Sequence, residues 1–197
     1  MTFWQKVTFL FSGLFLLLTG CSAQKIEDVA SRSPTFDLEA FFEGDSIAYG
    51  IFEDYSQKLS RQFRVNIKGI VEGKTLTLEE DFLYDDGETQ RRVWVITNKG
   101  RNDEGVMLYE GRADDVIGKA QGMLAGNALH WQYQLALPVD DTSYDIHFND
   151  WIYQQDEDVA LNRARLTKFG LEVGSVTLVF LRGKAAKAIG PLNLQSW

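Results

Sequence analysis

The sequence predicts an all-β protein, an antiparallel up-and-down β-barrel of about eight to ten strands, behind an N-terminal lipoprotein signal. Three observations predict it. Alternation of apolar and polar residues recurs from Asp45 to about Arg182. The connections are short, and none offers the dozen or so residues that a parallel crossover needs. With 45% hydrophobic and 13% aromatic residues in 197, the chain can bury a sizeable core. A single meander leaves two unpaired edges, and closing it into a barrel removes them. An open sandwich is the alternative architecture.

The chain opens with one basic residue, Lys6, and twelve residues from Val7 to Leu18 broken only by Thr8, Ser12 and Gly13. This is the charged and apolar pattern of a signal peptide. It is too short for a membrane-spanning helix, which needs roughly 20 apolar residues. Leu18-Thr19-Gly20-Cys21 follows, with the pattern of a bacterial lipobox. Residues 1–20 are therefore the predicted signal peptide and Cys21 the predicted lipidation site. Two or three acyl chains on one cysteine anchor durably, where one chain anchors marginally. Ser22 after the cysteine points to the outer membrane, with the domain facing the periplasm.

Residues 21–40 hold the lipidated cysteine and a tether, of which Ser22 to Thr35 is short on large apolar residues and carries Pro34. Phe36 to Phe42 reads as a short helical turn that leads into or plugs the body. The barrel is expected over 41–182 and a tail over 183–197.

Phe63, Val65 and Ile67 alternate with polar residues in a first clear strand. Glu72-Gly73 turns the chain. Leu76, Leu78, Glu80, Phe82 and Tyr84 then share a face. Asp86-Gly87 reads as a two-residue hairpin turn. That register places Arg91, Val93 and Val95 on the face of Glu80. Asn98 to Gly105 reads as a loop and Val106 to Arg112 as a strand. Gly118 to Leu124 is glycine-rich, and Gly126-Asn127 turns into Leu129, Trp131, Tyr133, Leu135 and Leu137 on one face. Ser143 to Gln155, Ala160 to Phe169 and Val173 to Arg182 complete about ten strands.

The net charge of −8 argues against nucleic acid, whose binding needs clustered Lys and Arg. The lone cysteine excludes an internal disulfide and a multi-thiolate metal site. The acidic pairs Asp85-Asp86, Asp114-Asp115 and Asp140-Asp141 fall at turns and lack calcium-loop spacing. There is no G-x-S-x-G elbow and no H-E-x-x-H. No catalytic residue, metal or cofactor is predicted.

The segments Leu78 to Glu88 with Arg92-Val93-Trp94, Ala113 to Gly118, Gly126-Asn127-Ala128, Asn149-Asp150-Trp151, Asn162-Arg163-Ala164 and Lys168-Phe169-Gly170 together resemble a family of Gram-negative lipoproteins known only as a domain of unknown function. The likeness covers roughly residues 41–182 and carries no activity over. A weaker, fold-level similarity runs to lipocalin and fatty-acid-binding barrels, so a calycin-like architecture is implied.

Five residues stand out as candidate ligand contacts. Glu80 and Arg91 are expected on one apolar face, where charges are costly unless paired. Arg91 would receive a lipid carboxylate or phosphate with Glu80 orienting it, or the two form a structural ion pair. Arg163 offers the same job from inside, or lies on the solvated face. His147 shares a strand side with Asp145 and Asn149, a pattern open to a metal site or an acid–base pair. Trp131 is expected opposite Gly122, either as core packing or as a pocket wall. The expected function is a membrane-anchored lipoprotein whose barrel binds a fatty acid, phospholipid or other lipid. The alternatives are an envelope interaction protein with a filled barrel, and a lipid-modifying enzyme using His147 or His130.

Overall fold

The computed structural model describes residues 23–139 and 142–197. Cys21 and the signal peptide lie outside the described residues. The rest forms one closed antiparallel barrel in which each strand pairs with its sequence neighbours and the first pairs with the last. The strands are β1 (Gly44–Asp54), β2 (Leu59–Glu72), β3 (Thr75–Tyr84), β4 (Thr89–Arg101) and β5 (Met107–Arg112). They continue as β6 (Ala120–Ala125), β7 (Ala128–Val139), β8 (Thr142–Gln154), β9 (Val159–Lys168) and β10 (Leu171–Leu181). Helix α1 (Leu38–Phe42) precedes the barrel and α2 (Gly183–Ile189) follows it, within the expected tail.

Period-two patterning decides what faces the lumen. In β9, Ala160, Asn162, Ala164 and Leu166 are buried while Leu161, Arg163 and Arg165 are exposed. Closure needs ten such strands in register, and Ile47 to Asp54 of β1 supply the last seam against β10.

One end of the barrel is shut. Asp37 caps α1 by accepting a hydrogen bond from the Ala40 amide at 2.9 Å. Phe36, Leu38, Phe41 and Phe42 are all buried, and Phe42 meets Phe180 edge to face. Glu39 accepts hydrogen bonds from Asn98 and from the Tyr109 hydroxyl, both at 2.8 Å. Gly69 permits the plug's approach, since a Cβ there would overlap the Phe42 carbonyl. The expected helical plug is therefore present.

Three expectations are corrected. The Asp86-Gly87 hairpin is a three-residue loop, with the Tyr84 amide donating to the Glu88 carbonyl and Gly87 at φ +88°. The register moves by one residue, so Glu80 pairs with Arg92 and Asp81 with Arg91. A one-residue slip exchanges the two faces of a strand: Val93, Val95 and Arg91 point outward, and Arg92, Trp94 and Ile96 point inward. The expected tether is not free over its described part. Ile26 and Val29 are buried against Val106, Ala125 and Ala128 on the barrel's outer wall. Finally, β4 runs on to Arg101, leaving a short turn held by the Asn102 side chain where a longer loop was expected.

Candidate functional site

Within the barrel lies a cavity of about 750 Å³. That is within the range of small-molecule sites, roughly 300–1,000 Å³. Leu38 and Phe42 of the plug form its floor, and it reaches Ser60, Arg61, Glu88 and Gln90 at the opposite strand ends, which form the mouth. The filled-barrel alternative does not match this lumen.

Glycines keep the space open. The Trp131 ring lies over Gly111 and Gly122, and a Cβ at either would overlap it. The largest side chain on β7 is thus sunk into the wall rather than across the lumen. Phe63 uses Gly50 in the same way. Trp94 meets Trp131 and Tyr133 edge to face at 5.6 and 5.3 Å, and Tyr133 stacks on Phe148 at 5.0 Å. The opposite wall carries Phe63, Phe82 and Tyr84.

Polar groups punctuate this aromatic lining. Arg92, from β4, donates to Asp115 through Nε at 3.0 Å and also through Nη2. Asp115 comes from the β5–β6 loop, which is held to β7 through the Val116–Leu135 bridge and the Ile117-to-Gln134 hydrogen bond. This loop covers β7 beyond the end of the short strand β6. Burial works against the Arg92 charge, but Glu80, Tyr133 and Asp115 outweigh it and hold its pKa up. Glu80 faces the lumen beside Arg92. Burial pushes its carboxyl up to about 7, against the pull of Arg92. Asp150 on β8 accepts a hydrogen bond from Asn162 on β9 at 2.7 Å. Burial pushes its carboxyl up to about 6, opposed by Asn162, Tyr133 and Arg92.

Of the five candidates, Glu80 and Trp131 line the lumen. The others do not. Arg91 pairs outside with Asp81 at 2.9 Å and Glu79 at 3.0 Å. Arg163 is exposed on the outer face of β9, because Asn162 takes the inward position. His147 lies on the outer face of β8, where Ile146, Phe148 and Asp150 point inward. His130 is also outside, bonded to Asn149 at 2.9 Å and stacked on Trp151. Neither histidine reaches the lumen, so the reading of one as a base for lumen chemistry is set aside. Sequence reading missed Arg92, Asp115, Asp150 and Asn162. Reading Gly87 as the bulge of a three-residue loop would have found Arg92. Asp150 alternates with Ile146, Phe148 and Ile152, and Asn162 with Ala160 and Ala164, so their inward aim was present in the period. Asp115 gave no such signal.

Among solved structures, the S-type phycobiliprotein lyase CPES from Guillardia theta matches with a TM-score of 0.53 at 11% identity, covering 83% of this chain and 100% of that one. The structure of EF1p2_mFAP2b bound to DFHBI matches with a TM-score of 0.39 at 8% identity, covering 73% of this chain and 94% of that one. At such identities the first likeness shows the fold. No curated protein matches the chain. The model of one family, described as "Protein of unknown function (DUF3833)", matches residues 15–182, and the chain belongs to that family.

Proposed function

We propose that this protein is a bacterial lipoprotein, anchored through Cys21, whose periplasm-facing barrel carries a fatty acyl or other lipid ligand. The observation that carries the ligand part is the lumen: about 750 Å³, floored by an apolar plug and walled by aromatic rings that glycines hold back. Burying a ligand's CH₂ groups there gains about 0.8 kcal/mol each, before the cost of fixing the chain. The likeness to a phycobiliprotein lyase supports the barrel fold on which this reading rests. The anchor rests on Leu18-Thr19-Gly20-Cys21 and the outer-membrane site on Ser22.

Residues 26–29, which follow the proposed anchor in sequence, lie at the end of the barrel opposite the mouth. Ile26 and Val29 pack beside the β6–β7 turn, at the plugged end. Cys21 stands four residues before Lys25, a reach of at most about 14 Å. The mouth, with the exposed Tyr55, Leu59, Phe169 and Leu171 along one lip, is at the far end and on the other side of the barrel. An anchored barrel therefore presents its mouth away from its own membrane, where a ligand exchanges with a carrier or an opposing bilayer.

Two measurements test this. Palmitate labelling of the full chain is lost in Cys21→Ser, and the variant leaves the membrane fraction. Organic extraction of the purified chain from Ser22 onward, followed by mass spectrometry, yields a stoichiometric lipid; a clean blank that added lipids do not change contradicts the ligand reading. The aromatic walls favour a second reading, a planar conjugated ligand, which visible absorbance of the purified protein would reveal.

A further inference from the structure

The lumen's polar groups are mismatched in a way that specifies its ligand. Asp150 is 4% exposed and Asn162 is 6% exposed, and both line the cavity. The Asn162 amide nitrogen is spent on Asp150 Oδ1. Asn162 Oδ1 is left buried with no hydrogen-bond partner among the described residues, and Asp150 Oδ2 has the Tyr133 hydroxyl as its one neighbouring donor, outside good hydrogen-bond geometry. Two acceptors thus stand side by side on neighbouring strands, and a buried acceptor without a donor is costly.

The cations do not correct this. Arg61 at the mouth is held by Asp86 and Glu88 at 2.7 and 2.6 Å. Arg92 is held by Asp115. Glu80 adds a further carboxyl to the lining, with only the Arg92 charge nearby to offset it. A free carboxylate entering the lumen meets acids whose counter-charges are already engaged. A hydroxyl or amine finds Asn162 Oδ1 unpaired and Asp150 Oδ2 engaged at most by the Tyr133 hydroxyl.

We propose that the ligand's polar end is a hydrogen-bond donor, a hydroxyl or an amine, received by Asp150 and Asn162, and that the lumen discriminates against free carboxylates. This rests on the ligand-binding reading above and narrows it: a lipid alcohol, amine or hydroxyl-bearing glyceride fits, and an ionised fatty acid does not.

Residues 23–197 contain the entire closed sheet and both helices, so the chain from Ser22 onward is the species to test. Hexadecanol, hexadecylamine and palmitate share one chain length and differ at the head. Each is titrated at pH 8 against displacement of the uncharged dye Nile red. Hexadecanol and hexadecylamine are expected to bind about tenfold more tightly than palmitate, since the misfit leaves a buried polar group unpaired. Asp150→Asn, which keeps the shape, is expected to remove the preference for the amine, with the far-ultraviolet spectrum unchanged. Palmitate binding as well as the other two, in a protein that binds all three, overturns donor selection and leaves lipid binding intact. Failure of all three to bind overturns the lipid reading itself. The same titration on Asn162→Leu serves if Asp150→Asn does not fold: equal hexadecanol affinity in that variant overturns the assigned acceptor pair.

Discussion

Arg92 Nε lies 3.0 Å from Asp115 Oδ2, a bond that joins the inner face of β4 to the loop between β5 and β6. The side chains are only 16% and 27% exposed. Removing one member of such a pair strands the other. Asp115→Asn is expected to cost about 2 kcal/mol of stability, less than a fully buried pair because water reaches both groups. The same variant frees the Arg92 charge, so palmitate affinity should rise about tenfold, the worth of one charge-assisted hydrogen bond. Chemical denaturation and the Nile red titration read the two effects separately.

Gly111 and Gly122 are expected to be intolerant of alanine. A Cβ at either meets the Trp131 indole, which must swing into the lumen. Overpacking of this kind costs typically about 1–3 kcal/mol. Ligand affinity should fall with the lost volume, and the intrinsic fluorescence should shift as Trp131 leaves its place against Trp94. An unchanged melting temperature in Gly122→Ala would show that the ring is not pinned there.

Stability should decline as pH rises through the range in which the buried acids ionise. The Glu80 carboxyl is raised from 4.5 to about 7, so the folded chain holds a proton that the unfolded chain has released. Its contribution is full below pH 4.5 and is lost as the pH passes 7. Asp150, raised from 3.8 to about 6, acts in the same direction over a lower window. Glu80 alone accounts for at most about 3 kcal/mol, less where lumen water solvates it. Arg92, Asp115 and Tyr133 face the same space; Arg92 moderates the effect. Glu80→Gln should flatten the denaturation midpoint between pH 5 and pH 8, roughly the window of that ionisation. A wild-type midpoint that does not fall across that interval would show that Glu80 is solvated.

Arg91→Ala, Arg163→Ala and His147→Ala should leave ligand affinity unchanged, because all three side chains lie on the outer face. Arg91 is 54% exposed in its ion pairs, so its loss should scarcely move the melting temperature. A tenfold loss of affinity in any of the three would move the site off the lumen.

Much of this architecture was legible. Alternation in β2, β7 and β9 places the inner faces, and the Gly126-Asn127 turn sets Gly122 opposite Trp131, as the structure has it. What escaped was one turn type. A bulge at Gly87 shifts β4 by a residue, and that shift exchanges Arg91 for Arg92 in the lumen. Patterning alone does not resolve such a slip, because Arg92, Trp94 and Ile96 on one face and Arg91, Val93 and Val95 on the other are both plausible inner faces. The Asp115 contact depends on how a loop returns to β7, which no local period encodes. The described part of the tether was misread for a related reason: Ile26 and Val29 are two isolated apolar residues, and their burial depends on a groove made by β5, β6 and β7.

The account turns on whether the lumen receives an apolar chain. Backbone and indole amide spectra of the chain from Ser22 onward, recorded by NMR while hexadecanol is added, test that most directly. The account predicts saturable shifts at the Trp94 and Trp131 indoles and at Ala164 and Asn162, with the outward Arg91, Arg163 and Val93 scarcely moved. Shifts confined to the outer faces, or none that saturate, would contradict it.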